Sequence, residues 1–217
     1  MERKRPLAWL VLVASIVAGA SYAASSKLGL EPTLTTAWKG AGVALLAVYA
    51  GLKARNLDSW LICVVMALGA LGDVLLETSG LTVGAVAFLA GHIVAIGLYL
   101  KNRMRGARGR GWAFLIVPAA VAVAFVLPAD RAMAPGVVLY TLGLSVMAAC
   151  ALISRFPVAL TGLGALMFVL SDLFIFARAG PLAQAAWIGL AIWTLYYVGQ
   201  LMICLGVVRT LERDRRF

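Results

Sequence analysis

Long, nearly uninterrupted apolar runs dominate this sequence and leave it few ways to fold. We read eight of them: Leu7–Ala24, Leu34–Leu52, Ser59–Leu76, Leu81–Leu100, Trp112–Leu127, Pro135–Ile153, Val158–Ala177 and Ala183–Val208. Most approach the roughly 20 residues a helix needs to cross a hydrocarbon core of about 30 Å. The fifth is short and ends at Pro128. Within lipid every backbone polar group must be satisfied internally, so only helices and closed barrels span it. Runs this long and continuous select helices. Composition agrees, with 63% of residues hydrophobic and 13% charged, against about half and a quarter in a soluble domain. The same figures exclude a soluble enzyme with a large core, and they exclude intrinsic disorder. The expected fold is all-α: a polytopic membrane protein of eight transmembrane helices, forming a single integral membrane domain over residues 1–217.

The connections are short and carry turn chemistry. Asn56 and Asp58 follow the second run, Pro128 and Asp130 the fifth, Pro157 the sixth, and Gly180-Pro181 the seventh. None is long enough for a soluble domain, so any chemistry belongs among the helices. With the N-terminus inside, fifteen of the nineteen Lys and Arg residues fall on the inner side, from Arg3, Lys4 and Arg5 through the Lys101–Arg110 loop to Arg209, Arg213, Arg215 and Arg216. Three (Lys27, Arg131 and Arg178) fall outside, and Lys39 lies within the second run. The asymmetry predicts both termini inside. A net charge of +10 would suggest nucleic acid for a soluble chain. Here the basic loop is expected to face anionic lipid, and no nucleic-acid partner is expected. The first run, with its basic start and Tyr22-Ala23-Ala24-Ser25, resembles a signal peptide but is long for one, so it is read as a retained span. Cys63, Cys150 and Cys204 lie inside apolar runs with no CxxC or Cys/His cluster, which makes them small packing residues.

Ionisable groups inside spans are costly and usually face a bundle interior or a cavity. Here they are Lys39, Asp73, His92 and Asp172, with Glu77 at a span end; Tyr196 and Gln200 add uncharged polarity. With a helical rise of about 1.5 Å per residue, Lys39, Asp73 and Asp172 all fall within about 10 Å of the outer face. His92, Tyr196 and Gln200 fall nearer the middle. One cavity opening outward would give this distribution. Leu71-Gly72-Asp73-Val74-Leu75-Leu76 is similar to Leu170-Ser171-Asp172-Leu173-Phe174-Ile175, a hint of a four-plus-four repeat. Gly69, Gly72, Gly162 and Gly164 allow close helix approach beside the aspartates.

An ion pair of Lys39 with Asp73 or Asp172 would lower the cost of burial and serve packing alone. One lysine does not neutralise two aspartates and Glu77. A neutral carboxyl beside an ionised one is the arrangement acid/base chemistry uses. Trp193, Tyr196 and Gln200 share a helical face and either line a lipid cavity or simply pack. A single His and no ligand spacing point to no metal. The same residues also suit a proton-coupled transporter or flippase of a small or lipid substrate, or a purely structural subunit.

The sequence resembles the YhhN-like family of membrane lysoplasmalogenases. The resemblance lies in Leu71-Gly72-Asp73-Val74-Leu75-Leu76, in Gly84 to Tyr99 (GAVAFLAGHIVAIGLY), in Gly164 to Phe176 (GALMFVLSDLFIF) and in Tyr196-Tyr197-Val198-Gly199-Gln200. In order and placement these cover nearly the whole chain. Family members carry a Lys-Pro pair, or a Lys closely followed by Pro, near the start of the second span; here the pair is Lys39-Gly40. The resemblance implies hydrolysis of the vinyl-ether bond of lysoplasmalogen to a fatty aldehyde and glycerophosphoethanolamine or glycerophosphocholine. That chemistry requires a general acid to protonate the alkene carbon and a carboxylate to stabilise the cation and activate water, as in glycoside hydrolysis. Asp73 and Asp172 are the expected catalytic pair. Lys39 is expected to hold the substrate phosphate, and His92, Tyr196 and Gln200 to orient water or the ether oxygen. Phe88, Phe168 and Trp193 are expected to accept the alkenyl tail. No cofactor is expected. The partners are a lysophospholipid substrate and membrane lipids, and the expected location is a bacterial inner (plasma) membrane.

Overall fold

The computed structural model describes residues 4–25, 28–104 and 106–214. Arg3, Lys27, Arg105, Arg215 and Arg216, used above to assign orientation, lie outside the described residues. The described residues form eight α-helices and no strand: α1 Lys4–Tyr22, α2 Pro32–Lys53, α3 Leu57–Thr78, α4 Leu81–Lys101, α5 Ile116–Val126, α6 Ala134–Ile153, α7 Leu163–Arg178 and α8 Ile188–Arg213. The all-α expectation holds. Five helical stretches are long and apolar enough to cross a membrane: Leu57–Thr78, Leu81–Lys101, Arg131–Ile153, Val158–Arg178 and Ile188–Arg213. Pro6–Tyr22 and Arg110–Val126 are apolar but shorter. α2 has the length, but Thr33, Thr35, Thr36 and Lys39 dilute its hydropathy.

Three boundaries differ from the sequence reading. The fifth run winds first as a 3-10 helix, Ala107–Leu115, and becomes α-helical only at Ile116. It is entered through Gly106 at φ +86°, a backbone state that glycine adopts without steric cost. The seventh run starts with a π-turn, Val158–Gly162, in which the Thr161 amide donates to the Pro157 carbonyl at 2.8 Å. The eighth helix starts at Ile188 rather than Ala183. Pro181 lacks an N–H and disfavours helix at the residue before it, and the following turns are tied back by the Leu182 amide donating to Ala177 O at 2.8 Å.

The chain divides into two compact units. The first comprises Met1–Ala95 and Val207–Phe217, hence α1, α2, α3, most of α4 and the end of α8. In it Ser15 Oγ donates to Gly42 O at 2.6 Å, joining α1 to α2, and Trp38 Nε1 donates to Ala18 O at 3.1 Å. Lys53 pairs with Glu212 at 2.9 Å. Gly40, the position next to Lys39, lets α2 approach α3: a Cβ there would lie 2.8 Å from Val74 Cγ2. α3 opens with a capping box in which Asn56 Oδ1 accepts from the Ser59 amide and Ser59 Oγ accepts from the Asn56 amide, both at 2.9 Å. Asn56→Ala removes one half of that exchange and is expected to lower stability by about 1 kcal/mol, read as a fall in the detergent melting temperature; an unchanged melt would show that the cap is redundant.

The second unit is Ile96–Gly206. Its centre is α6, buried at positions spread around the helix, among them Tyr140, Thr141, Leu144, Met147, Ala148 and Ala151. A helix apolar all round belongs inside a bundle. Ala113, Ala149, Leu152 and Ile153 form a core patch with Ile116, Val117 and Leu166 packed on it. Arg155 closes one end, its amide donating to Asn102 O at 2.8 Å and its Nε to Asn102 Oδ1 at 2.7 Å.

Burial departs from the pattern of a water-soluble protein at the surface and at a few polar positions. Leu10, Val86 and Ile93 in the first unit, and Leu115, Val126 and Leu139 in the second, are between 62% and 70% exposed. Asp73, His92, Asp172 and Gln200 are buried. Large apolar faces turned outward with ionisable groups turned inward suit a lipid surround.

Candidate functional site

In the first unit the polar groups gather on α2, α3 and α4. Asp73 sits near the C-terminal end of α3 and is 2% exposed. It is flanked by Gly72, where a Cβ would meet the Phe88 ring of α4 at 2.8 Å. One turn along, a Cβ at Gly84 would meet the Leu76 backbone at 2.8 Å. Small residues thus let α3 and α4 run in close contact beside the aspartate. His92 follows Phe88 by one turn on the buried stripe of α4, formed by Gly84, Ala87, Phe88, Gly91, His92 and Ala95, and is 3% exposed. Lys39 on α2 takes Glu77 as its ion-pair partner, Nζ to Oε1 at 2.6 Å. The packing alternative read from the sequence paired Lys39 with Asp73 or Asp172 instead. Glu77 lies at the end of α3 with its side chain 41% exposed, where solvent reduces the desolvation cost of the pair. The Tyr22 ring at the end of α1 meets Trp38 edge-on.

In the second unit the buried stripe of α7 is Ala165, Phe168, Asp172 and Phe176, spaced one turn apart. Asp172 Oδ2 accepts from the Tyr140 hydroxyl of α6 at 2.5 Å. Ser171 Oγ donates to Ile192 O at 2.9 Å, tying α7 to α8. Gly164 and Gly199 set the two backbones in contact: a Cβ at Gly164 would lie 2.7 Å from Gly199 O. The aromatic stripe of α8 packs on this seam, with Tyr196 edge-on to Phe168 at 5.2 Å and Trp193 stacked on Tyr197 at 5.7 Å. Gln200, 2% exposed, continues the same face, and its Oε1 has no donor among the described residues. A buried acceptor left open is costly and leaves room for a donor from water or a ligand.

The sequence reading found Asp73, His92, Asp172, Tyr196 and Gln200 as buried polar groups, but it missed Tyr140. Nothing in its neighbourhood flags it: a tyrosine near a span end reads as an interfacial anchor. Cys150 and Cys204 are buried and Cys63 is half-buried, none of them in a disulfide. Among the described residues no three His, Cys, Asp or Glu side chains come together as a metal-binding group.

The fold and these groups define an all-helical chain with membrane-length apolar helices and buried carboxyls. Against known families, residues 34–207 match the YhhN family model, and the chain belongs to that family. A protein named "Lysoplasmalogenase" from Mycobacterium bovis is 31% identical over 193 residues, covering 83% of this chain and 73% of its own length. A protein of the same name from Mycobacterium tuberculosis gives the same figures. No solved structure matches the chain.

Proposed function

We propose that this chain is a membrane-embedded hydrolase that cleaves the vinyl-ether bond of lysoplasmalogen, releasing a fatty aldehyde and glycerophosphoethanolamine or glycerophosphocholine. What carries this is the 31% identity, over 83% of the chain, to proteins named for that activity. In our reading the chain is one integral membrane domain of eight spans with both termini inside, in a bacterial inner membrane. The charge asymmetry of the loops supports that orientation.

Vinyl-ether hydrolysis starts with protonation of the alkene carbon, which yields an oxocarbenium ion. Water adds to give a hemiacetal, and the hemiacetal collapses to aldehyde and alcohol. One carboxyl must deliver a proton, and a carboxylate must stabilise the cation and draw a proton from water. Asp73 and Asp172 supply these groups in our assignment. Each is buried within a predominantly apolar helix, a placement expensive enough to suggest function. Gln200 Oε1 accepts from the attacking water. His92 and Tyr196 help orient water or the ether oxygen. Phe88, Phe168 and Trp193 receive the alkenyl chain.

Lys39 holds the substrate phosphate, with Glu77 as its resting partner. Lys39→Ala is expected to raise KM for lysoplasmalogen about tenfold, the scale of one hydrogen bond to a charged group, and to leave kcat within a factor of about two. An unchanged KM would remove Lys39 from the substrate site.

The reaction is tested by following aldehyde release from alkenyl-glycerophosphoethanolamine and alkenyl-glycerophosphocholine by the purified protein in detergent, through an aldehyde-reducing enzyme that consumes NADH. Release above the detergent blank supports the assignment. A well-folded protein that releases none from either substrate, yet moves protons or lipid in proteoliposomes, would instead be a transporter on a shared architecture.

A further inference from the structure

Tyr140 is buried, and its hydroxyl donates to Asp172 Oδ2 at 2.5 Å. Its ring meets Phe176 edge-on, with centroids 6.1 Å apart and planes at 84°. Phe176 lies one turn beyond Asp172 on α7, so the phenol is held against the carboxyl by a ring from the same helix. Packing alone asks for no hydroxyl here, because phenylalanine fills nearly the same volume. A buried carboxyl does ask for a donor.

We infer that Tyr140 is a positioning residue of the ether hydrolysis proposed above, fixing the orientation of the Asp172 carboxyl through the hydrogen bond to Oδ2. The inference rests on that proposed reaction. A carboxyl held in one orientation is set for the proton transfer that the proposed reaction asks of it.

The test compares wild type, Tyr140→Phe and a protein with 4-aminophenylalanine installed at position 140, all full length in detergent, by aldehyde release and thermal melting. Tyr140→Phe is expected to lower kcat about 10- to 100-fold, as for a buried carboxyl left without its donor. KM should stay within about twofold and the melt should be unchanged. The amino variant, which restores a donor at the ring's end, should recover part of the lost kcat. A Tyr140→Phe protein with wild-type kcat overturns the inference. So does a raised KM at constant kcat, and so does loss of the fold, each of which gives the hydroxyl a different job. An amino variant as slow as the Phe variant also overturns it. If wild type itself releases no aldehyde, the proposed reaction falls and this inference falls with it.

Discussion

Asp73→Asn and Asp172→Asn are each expected to lose aldehyde release from lysoplasmalogen by a factor of about 1,000 or more, the range of losing a general acid or base. Asparagine keeps the size and planarity of the side chain, so the packing of Gly72 on Phe88, and of the α7 stripe on α8, is preserved. What is lost is the ability to exist as an acid or an anion. An amide does not protonate an alkene carbon, and it neither stabilises an oxocarbenium ion with charge nor takes a proton from water. Both variants should elute as wild type on gel filtration and melt within a few degrees of it, because each replaces a buried ionisable group with a neutral one. Turnover within tenfold of wild type in either variant would remove that aspartate from the reaction. Loss in one alone would point to a single-carboxyl mechanism.

Gly164→Val is the second large effect, and it acts through backbone. The facing glycines of α7 and α8 are in mutual contact: a Cβ at Gly164 would meet Gly199 O at 2.7 Å, Met202 Cβ at 3.0 Å and Ile203 Cγ1 at 3.2 Å, while a Cβ at Gly199 would meet Gly164 O at 2.7 Å. A carbonyl inside a helix has no rotamer with which to retreat, so the helices must separate. Overpacking a core costs roughly 1–3 kcal/mol. For a chain of this length that corresponds to a fall of about 2–12 °C in melting temperature. Activity should fall too, because Phe168 and Asp172 ride on α7 and Tyr196 and Gln200 on α8. Gly97→Val is the matched control, since a Cβ there meets nothing within 4 Å; it should melt like wild type. A Gly164→Val protein as stable as the control would show that the seam yields.

Much of the site was legible because its residues break the rule of their surroundings. Asp73, His92 and Asp172 interrupt apolar runs, and in lipid such an interruption is expensive wherever the helix turns it. Their burial was therefore readable without coordinates, as was that of Gln200 on the Trp193–Tyr196 face. Lys39 was legible as a membrane charge but not in its partner: Glu77 lies one turn past Asp73, and sequence does not say which acid on a helix a lysine from another helix will reach. Tyr140 was illegible because its role depends on a hydroxyl meeting a carboxyl from a different helix. Helix starts were read least well where Gly and Pro govern the winding, at Gly106 and Pro181.

Hydrophobic run length by itself determined that this chain is helical and suited to lipid, because water-free surroundings leave the backbone no other common solution. It also singled out the few buried polar residues that make up the candidate site, since a charge in an apolar run is conspicuous. Only the tertiary structure decided who meets whom: Lys39 with Glu77, Tyr140 with Asp172, Gly164 with Gly199. Those pairings depend on the rotation and offset of packed helices. These are set by the summed fit of many side chains of nearly equal hydrophobicity, and so no local pattern records them.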